Sequence, residues 1–233
     1  MKKGFFLSSF ALCLHAKGAS RRMVLLFLCI LLGFSICVGT AGTAFGEEGV
    51  IYEGSCGQEN TSGKKVLLAY DTKHGSTSEV AEKMAGELCA SGLQVDTQLA
   101  WNVEDVASYD AVVLGSPIYW ATFLPGALNF MDRYRSTLAS KTVAVFVLST
   151  NTDKTTGLVD ENSLEFFVEP VLDQFPEIKP VGSIGLIPGR ILFNEVLPME
   201  FVNLKLSGYD VVGDLRNYDV ESAWTQEIAA LLK

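Results

Sequence analysis

The sequence predicts an α/β fold, a doubly wound sheet of five parallel strands wrapped by helices, and three observations carry the prediction. Short apolar runs without polar alternation recur along residues 64–233, as strands buried on both faces require. Each run passes through a small polar turn into a stretch with apolar residues at helical spacing, so the chain reads βαβαβαβαβα. Right-handed crossovers between successive strands then give a parallel sheet, and roughly 170 residues suffice for one domain with its own core.

The first strand is Val66-Leu67-Leu68-Ala69-Tyr70. It runs into Thr72-Lys73-His74-Gly75-Ser76-Thr77, a turn with three hydroxyls and one glycine that lets backbone approach a ligand closely. A helix follows, with Val80, Ala81, Met84, Ala85 and Leu88 on one face, and Ser76 with Glu79 forms a capping-box pattern that predicts its start. Phosphate oxygens would meet the unpaired amides of that helix start. The spacing is neither G-x-G-x-x-G nor G-x-x-x-x-G-K-[ST], which disfavours a Rossmann dinucleotide loop and a P-loop NTPase.

A further strand, Ala111–Gly115, ends in Ser116-Pro117-Ile118-Tyr119-Trp120, where two aromatics follow a rigid turn at a strand's C-terminal end. The next helix begins near Pro125 and carries Leu128, Met131, Tyr134 and Leu138 on one face. Val143–Leu148 then forms a strand that ends in the small polar residues Ser149, Thr150, Asn151 and Thr152. Leu164–Leu172 reads as helix and Val181–Leu186 as the fifth strand. Val220–Leu232 reads as an amphipathic helix with Val220, Trp224, Ile228 and Leu231 on one face.

The phosphate turn resembles the flavodoxin loop [ST]-x-x-G-x-T, with Thr72, Gly75 and Thr77 at the matching positions, and G-S-P-x-Y-W resembles the ring-side loop of many FMN proteins. This likeness implies a flavodoxin-like sheet of order 2-1-3-4-5 with FMN as cofactor. Thr72, Lys73, His74, Gly75, Ser76 and Thr77 would lie about the phosphate. Ser116, Pro117, Ile118, Tyr119 and Trp120 would lie against the isoalloxazine ring, and Thr150, Asn151 and Thr152 would form the third flavin-contacting loop. Between the fifth strand and the last helix lies an extra segment, Pro188–Asp214, that a minimal flavodoxin lacks. Together with Asp214–Asp219 and Trp224, it resembles the flavodoxin-domain family that contains the bacterial menaquinone-dependent protoporphyrinogen dehydrogenase. The similarity spans roughly residues 64–232, with His74 where that family usually has Asp. The insert holds few cations and reads either as an amphipathic helix capping the sheet edge or as a substrate or quinone site.

Residues 1–46 contain Lys2, Lys3, Lys17, Arg21 and Arg22 and no acid, followed by the apolar run Met23–Gly39 and a small-residue stretch before Glu47. This predicts export, either through a signal peptide cleaved after Gly46 or with the segment retained as an N-terminal anchor. Ser20-Arg21-Arg22 before Met23–Leu26 also resembles the twin-arginine signal, which suits a protein that crosses the membrane folded around its cofactor. The domain would then be periplasmic, or membrane-anchored on the extracytoplasmic side. Residues 47–63 read as a polar, glycine-rich linker.

Cys13, Cys29 and Cys37 fall in the export segment, and Phe34-Ser35-Ile36-Cys37 is a poor lipobox. Cys56 in the linker and Cys89 on the first helix remain, and export would allow them to form a disulfide. Past residue 46 the only histidine is His74, which disfavours zinc sites and histidine-based triads. Without the five N-terminal cations, 13 basic residues face 27 acidic ones, a net charge of −14 that argues against nucleic-acid binding. An acidic surface suits steering toward a basic redox partner protein. The expectation is therefore an FMN-dependent oxidoreductase or electron-transfer protein that acts outside the cytoplasm and exchanges electrons with a membrane quinone. A diffusible flavodoxin-type carrier and a cofactor-less binding module are the alternatives.

Overall fold

Continuous apolar segments form the centre of a mostly parallel sheet, because each of their residues must be covered from one side or the other. The computed structural model describes residues 50–153, 155–192 and 213–233, with residues 196, 199, 202, 203 and 206 between them. Residues 1–46, expected to be a signal peptide or anchor, and most of the insert lie outside the described residues, as does the helix or substrate site expected in that insert.

In chain order the strands are β1 (Gly54–Cys56), β2 (Lys65–Tyr70), β3 (Gln94–Leu99), β4 (Ala111–Tyr119), β5 (Thr122–Phe123), β6 (Thr142–Ser149), β7 (Gly185–Pro188), β8 (Arg190–Ile191) and β9 (Gly213–Asp214). The helices are α1 (Ser76–Ala90), α2 (Pro125–Arg133), α3 (Arg135–Leu138), α4 (Glu169–Leu172) and α5 (Tyr218–Leu232). The sheet runs β1-β3-β2-β4-β6-β7, parallel throughout except for β1, while β5 folds back antiparallel on β4. Strands β8 and β9 pair separately, antiparallel, with Arg190 opposite Asp214.

Alternate residues of one strand serve two cores. Val66, Leu68 and Tyr70 face α1 and α5, where Met84, Leu88, Trp224 and Ile228 are buried with them. Leu67 and Ala69 face the other side, with Phe130 and Met131 of α2 and with Val168 and Val171 near α4. Gly115 in β4 makes room for the tip of the Phe146 ring: a Cβ there would sit 2.1 Å from Phe146 Cζ. Trp224 closes this core with an indole N–H that donates to the Ser183 carbonyl at 2.9 Å.

Six elements differ from the sequence reading: β4 continues through Ser116–Tyr119, where a turn was expected, the helix expected from Pro125 through Leu138 divides at Tyr134 into α2 and α3, and four more follow. Residues 47–63 are more than a linker, since Gly54–Cys56 pairs with β3 as an antiparallel edge strand and Cys56 is disulfide-bonded to Cys89 of α1. The Asn60 side chain reinforces the junction by donating to the carbonyls of Cys89 at 3.1 Å and Leu93 at 3.0 Å. The fifth strand begins at Gly185 rather than Val181. Val181 N–H bonds the Val143 carbonyl at 2.7 Å, but Gly182 then turns into the left-handed region (φ 69°) and the ladder resumes only at Gly185. Leu164–Leu172 is a π-helical turn, Leu164–Val168, followed by α4. Pro170 has no N–H to return to the preceding turn, which interrupts the regular helical ladder there.

Finally, no capping box forms at α1. Gly75 is the N-cap in the left-handed conformation (φ 80°), and no side chain caps the helix. Glu79 is held instead by Arg190 and Arg216, more than a hundred residues away in sequence.

Candidate functional site

The C-terminal ends of β2, β4 and β6 carry loops that, with the segment after β7, line an open cleft. This is where a parallel α/β sheet presents its ligand site. Thr72, Lys73, His74, Ser76 and Thr77 form one wall. Pro117, Ile118 and Tyr119 form a second, Leu148, Ser149 and Thr150 a third, and Gly189, Arg190 and Ile191 a fourth.

The first wall follows from the sharp exit of β2. Asp71 is buried there, its carboxylate accepting from the amides of Thr72 at 2.8 Å and Gly126 at 2.7 Å. Burial pushes its pKa up, and these backbone donors partly offset the rise. The contact ties the start of α2 to the end of β2, a role the sequence reading did not assign. Thr72 Oγ1 then accepts from Gly75 N–H at 3.1 Å, which folds the loop back ahead of the first-turn amides of Ser76, Thr77 and Ser78. These first-turn amides have no acceptor among the described residues. Ser76 Oγ accepts from Arg190 N–H at 3.2 Å, so its own proton remains to be donated. The arrangement is an anion cradle of backbone donors at a 15-residue helix, and it fits a phosphate.

The second wall is a strained hairpin. Trp120 and Ala121 have φ of 53° and 61° between the paired residues Tyr119 and Thr122, a two-residue loop of the I′ kind without the usual Asn or Gly. Tyr119 faces the cleft, its ring beneath Lys73 Nζ at 4.2 Å and its buried hydroxyl without a hydrogen-bond partner among the described residues. Trp120 lies edge-on to Tyr119 at 5.9 Å and remains 57% exposed at the hairpin tip rather than in the cleft.

The other expected residues divide between cleft and scaffold. Gly75 acts through its conformation as the helix N-cap. Ser116 is buried, accepting from Leu124 N–H at 3.0 Å and donating to the Pro117 carbonyl, so it anchors the hairpin instead of facing a ligand. Thr150 lines the cleft with Ser149. Asn151 turns away to donate to Ser163 Oγ at 3.3 Å, and Thr152 bridges to Val159, because this loop satisfies its own polar groups. Among the described residues the cleft also gains Leu148, Gly189, Arg190 and Ile191, which sequence reasoning did not assign. Arg190 could have been singled out only as a cation directly after a strand end.

Arg190 and Arg216 converge on Glu79. Arg190 Nη2 lies 3.0 Å from Glu79 Oε1, Arg216 Nη1 bonds Glu79 Oε2, and Arg216 also forks onto Asp214 at 2.8 and 2.6 Å. The hydrogen bond from Arg216 holds the Asp214 carboxyl below its ordinary range and raises the guanidinium above its own.

Comparison with known proteins identifies relatives of the chain. A family model described as a flavodoxin domain matches residues 67–191, more than half of the 233-residue chain. The chain is 29% identical over 84 residues to the quinone-linked protoporphyrinogen IX dehydrogenase of Escherichia coli K12, covering 35% of this chain and 46% of that enzyme. It thus spans about half the length of that curated relative. Among solved structures, a short-chain flavodoxin associated with a bacterial microcompartment is 16% identical with a TM-score of 0.48, covering 73% of this chain and 99% of that one. An NADH:FMN oxidoreductase in apo form is 13% identical with a TM-score of 0.47, covering 73% and 90%.

Proposed function

Because the chain belongs to the flavodoxin domain family, we propose that it holds FMN in this cleft and works as an oxidoreductase or electron-transfer protein outside the cytoplasm. The observation that carries the reading is the uncapped start of α1, where Ser76 and Thr77 line a cleft with an aromatic wall. When bound, the flavin would supply reversible one- and two-electron chemistry. The chain's own part is to bind and orient it.

A phosphate would accept from the amides of Ser76, Thr77 and Ser78 and from the hydroxyls of Ser76 and Thr77. Each hydrogen bond to a charged group contributes about 1.5–3 kcal/mol, whereas a helix dipole adds about 0.3–1 kcal/mol. Several such donors together outweigh the repulsion of a −14 surface, which salt screens beyond about 10 Å. Tyr119, Ile118 and Leu148 give the ring a largely apolar, water-poor wall.

Export is supported by the basic-then-apolar N-terminal segment and by the Cys56–Cys89 disulfide, a bond that persists in oxidising compartments. A retained N-terminal segment would keep the domain at the membrane. Membrane quinone as electron partner is supported by the partial likeness to a quinone-linked dehydrogenase. The acidic surface favours a second reading, a carrier that meets a basic redox protein.

Anaerobic reduction of the purified protein followed by a menaquinone analogue separates the two. Prompt reoxidation of bound flavin supports the quinone-linked oxidoreductase, and indifference to quinone removes it in favour of the carrier.

A further inference from the structure

We infer that Arg190 selects the phosphorylated form of the flavin, a specificity that rests on the FMN reading and extends it to a residue of the insert. The position of Arg190 is set at three points. Gly189 N–H bonds the Ser149 carbonyl at 2.8 Å, Arg190 N–H bonds Ser76 Oγ at 3.2 Å, and Arg190 pairs with Asp214 across the β8–β9 ribbon. The side chain is 12% exposed, lines the cleft beside Ser76 and Thr77, and lies against Glu79 of the first turn of α1. A planar guanidinium at this place is suited to fork onto phosphate oxygens that the α1 amides hold from the other side.

Glu79 is shared by two arginines, and this makes Arg190 exchangeable. If Arg190 turns toward an incoming phosphate, Arg216 still neutralises Glu79, and Asp214 still holds Arg216. The half-buried Glu79 carboxylate therefore keeps one cation when Arg190 moves, so recruitment of Arg190 does not leave it without a partner. Riboflavin places a neutral hydroxyl where FMN carries a near-dianion, and Arg190 gains little from it. In a chain with 13 cations against 27 acids beyond residue 46, a cation at the cradle discriminates strongly between the two ligands.

The test is titration of FMN and riboflavin into the apo full-length chain, followed by quenching of flavin fluorescence, in wild type, Arg190→Gln and Arg190→Lys. Arg190→Gln is expected to weaken FMN about ten- to a hundred-fold, leave riboflavin within about two-fold, and flatten the salt dependence of FMN binding. Arg190→Lys keeps the charge and the Glu79 pair but not the fork, so it recovers part of the FMN affinity; it also carries the test if Arg190→Gln does not fold. Unchanged FMN affinity in these variants, or equal weakening of both flavins, overturns the inference while leaving the FMN reading intact. A folded wild type that binds neither flavin overturns both.

Discussion

Replacing Cys56 and Cys89 by alanine opens the covalent tie between β1 and α1. The bond joins residues 33 apart, and the chain-entropy relation for a loop of that length gives about 4 kcal/mol at 25 °C. In a domain of this size each kcal/mol moves Tm by about 2–4 °C, so the double variant should melt roughly 8–16 °C below wild type. The fold should persist at room temperature, because β1 keeps its pairing with β3 and Asn60 keeps its bonds to Cys89 and Leu93. The cradle lies at the opposite end of the 15-residue α1, so flavin affinity should change less than about two-fold. The assay is thermal unfolding followed by circular dichroism, with and without reductant, together with mass spectrometry after thiol labelling. Wild type should bear no label at Cys56 or Cys89 and should fall to the variant's Tm in reductant, while the variant ignores reductant. Free thiols in wild type purified from an oxidising compartment, or a Tm indifferent to reductant, would refute the reasoning.

Three further outcomes follow from the geometry. Burial raises the pKa of Glu221 to about 7 even though Lys83 lies 3.0 Å away, with Glu87 alongside. The folded protein then keeps a proton that the unfolded chain releases, so this group's contribution to stability should decline, by on the order of 3 kcal/mol, as pH rises from about 4.5 to 7, and level off above. Urea titrations across that window should show this slope in wild type and lose it in Glu221→Gln. Changing Trp120-Ala121 to Asn-Gly removes two unfavourable left-handed residues and should raise stability by about 1–3 kcal/mol, and a lower Tm would contradict the hairpin geometry. Gly115→Ala forces a methyl into the Phe146 ring and should cost at least about 1–3 kcal/mol in chemical denaturation.

The parallel sheet was legible because its strands are uninterrupted apolar runs and its helices keep one apolar face, as in Val66–Tyr70 and in Val80 through Leu88. Strand β1 was not, since Gly-Ser-Cys has no alternating pattern and is placed by backbone pairing and a disulfide. The turn from β2 into α1 was legible as a local motif. Its real cap was not, because Glu79 is drawn away by arginines that follow it by 111 and 137 residues. The same long range hid Arg190. Asn151 and Thr152 have suitable chemistry for a flavin loop, but bonds to Ser163 and Val159 within their own loop turn them elsewhere, an outcome composition alone does not encode.

Flavin binding at the α1 cradle is the central claim, and the direct measurement is a visible absorption spectrum of the purified protein, with any released cofactor identified by mass. The account predicts a yellow protein that releases about one FMN per chain and loses it when Gly75 or Thr77 is replaced. A folded, colourless protein that takes up no flavin on reconstitution, or variants that retain full flavin content, would contradict it.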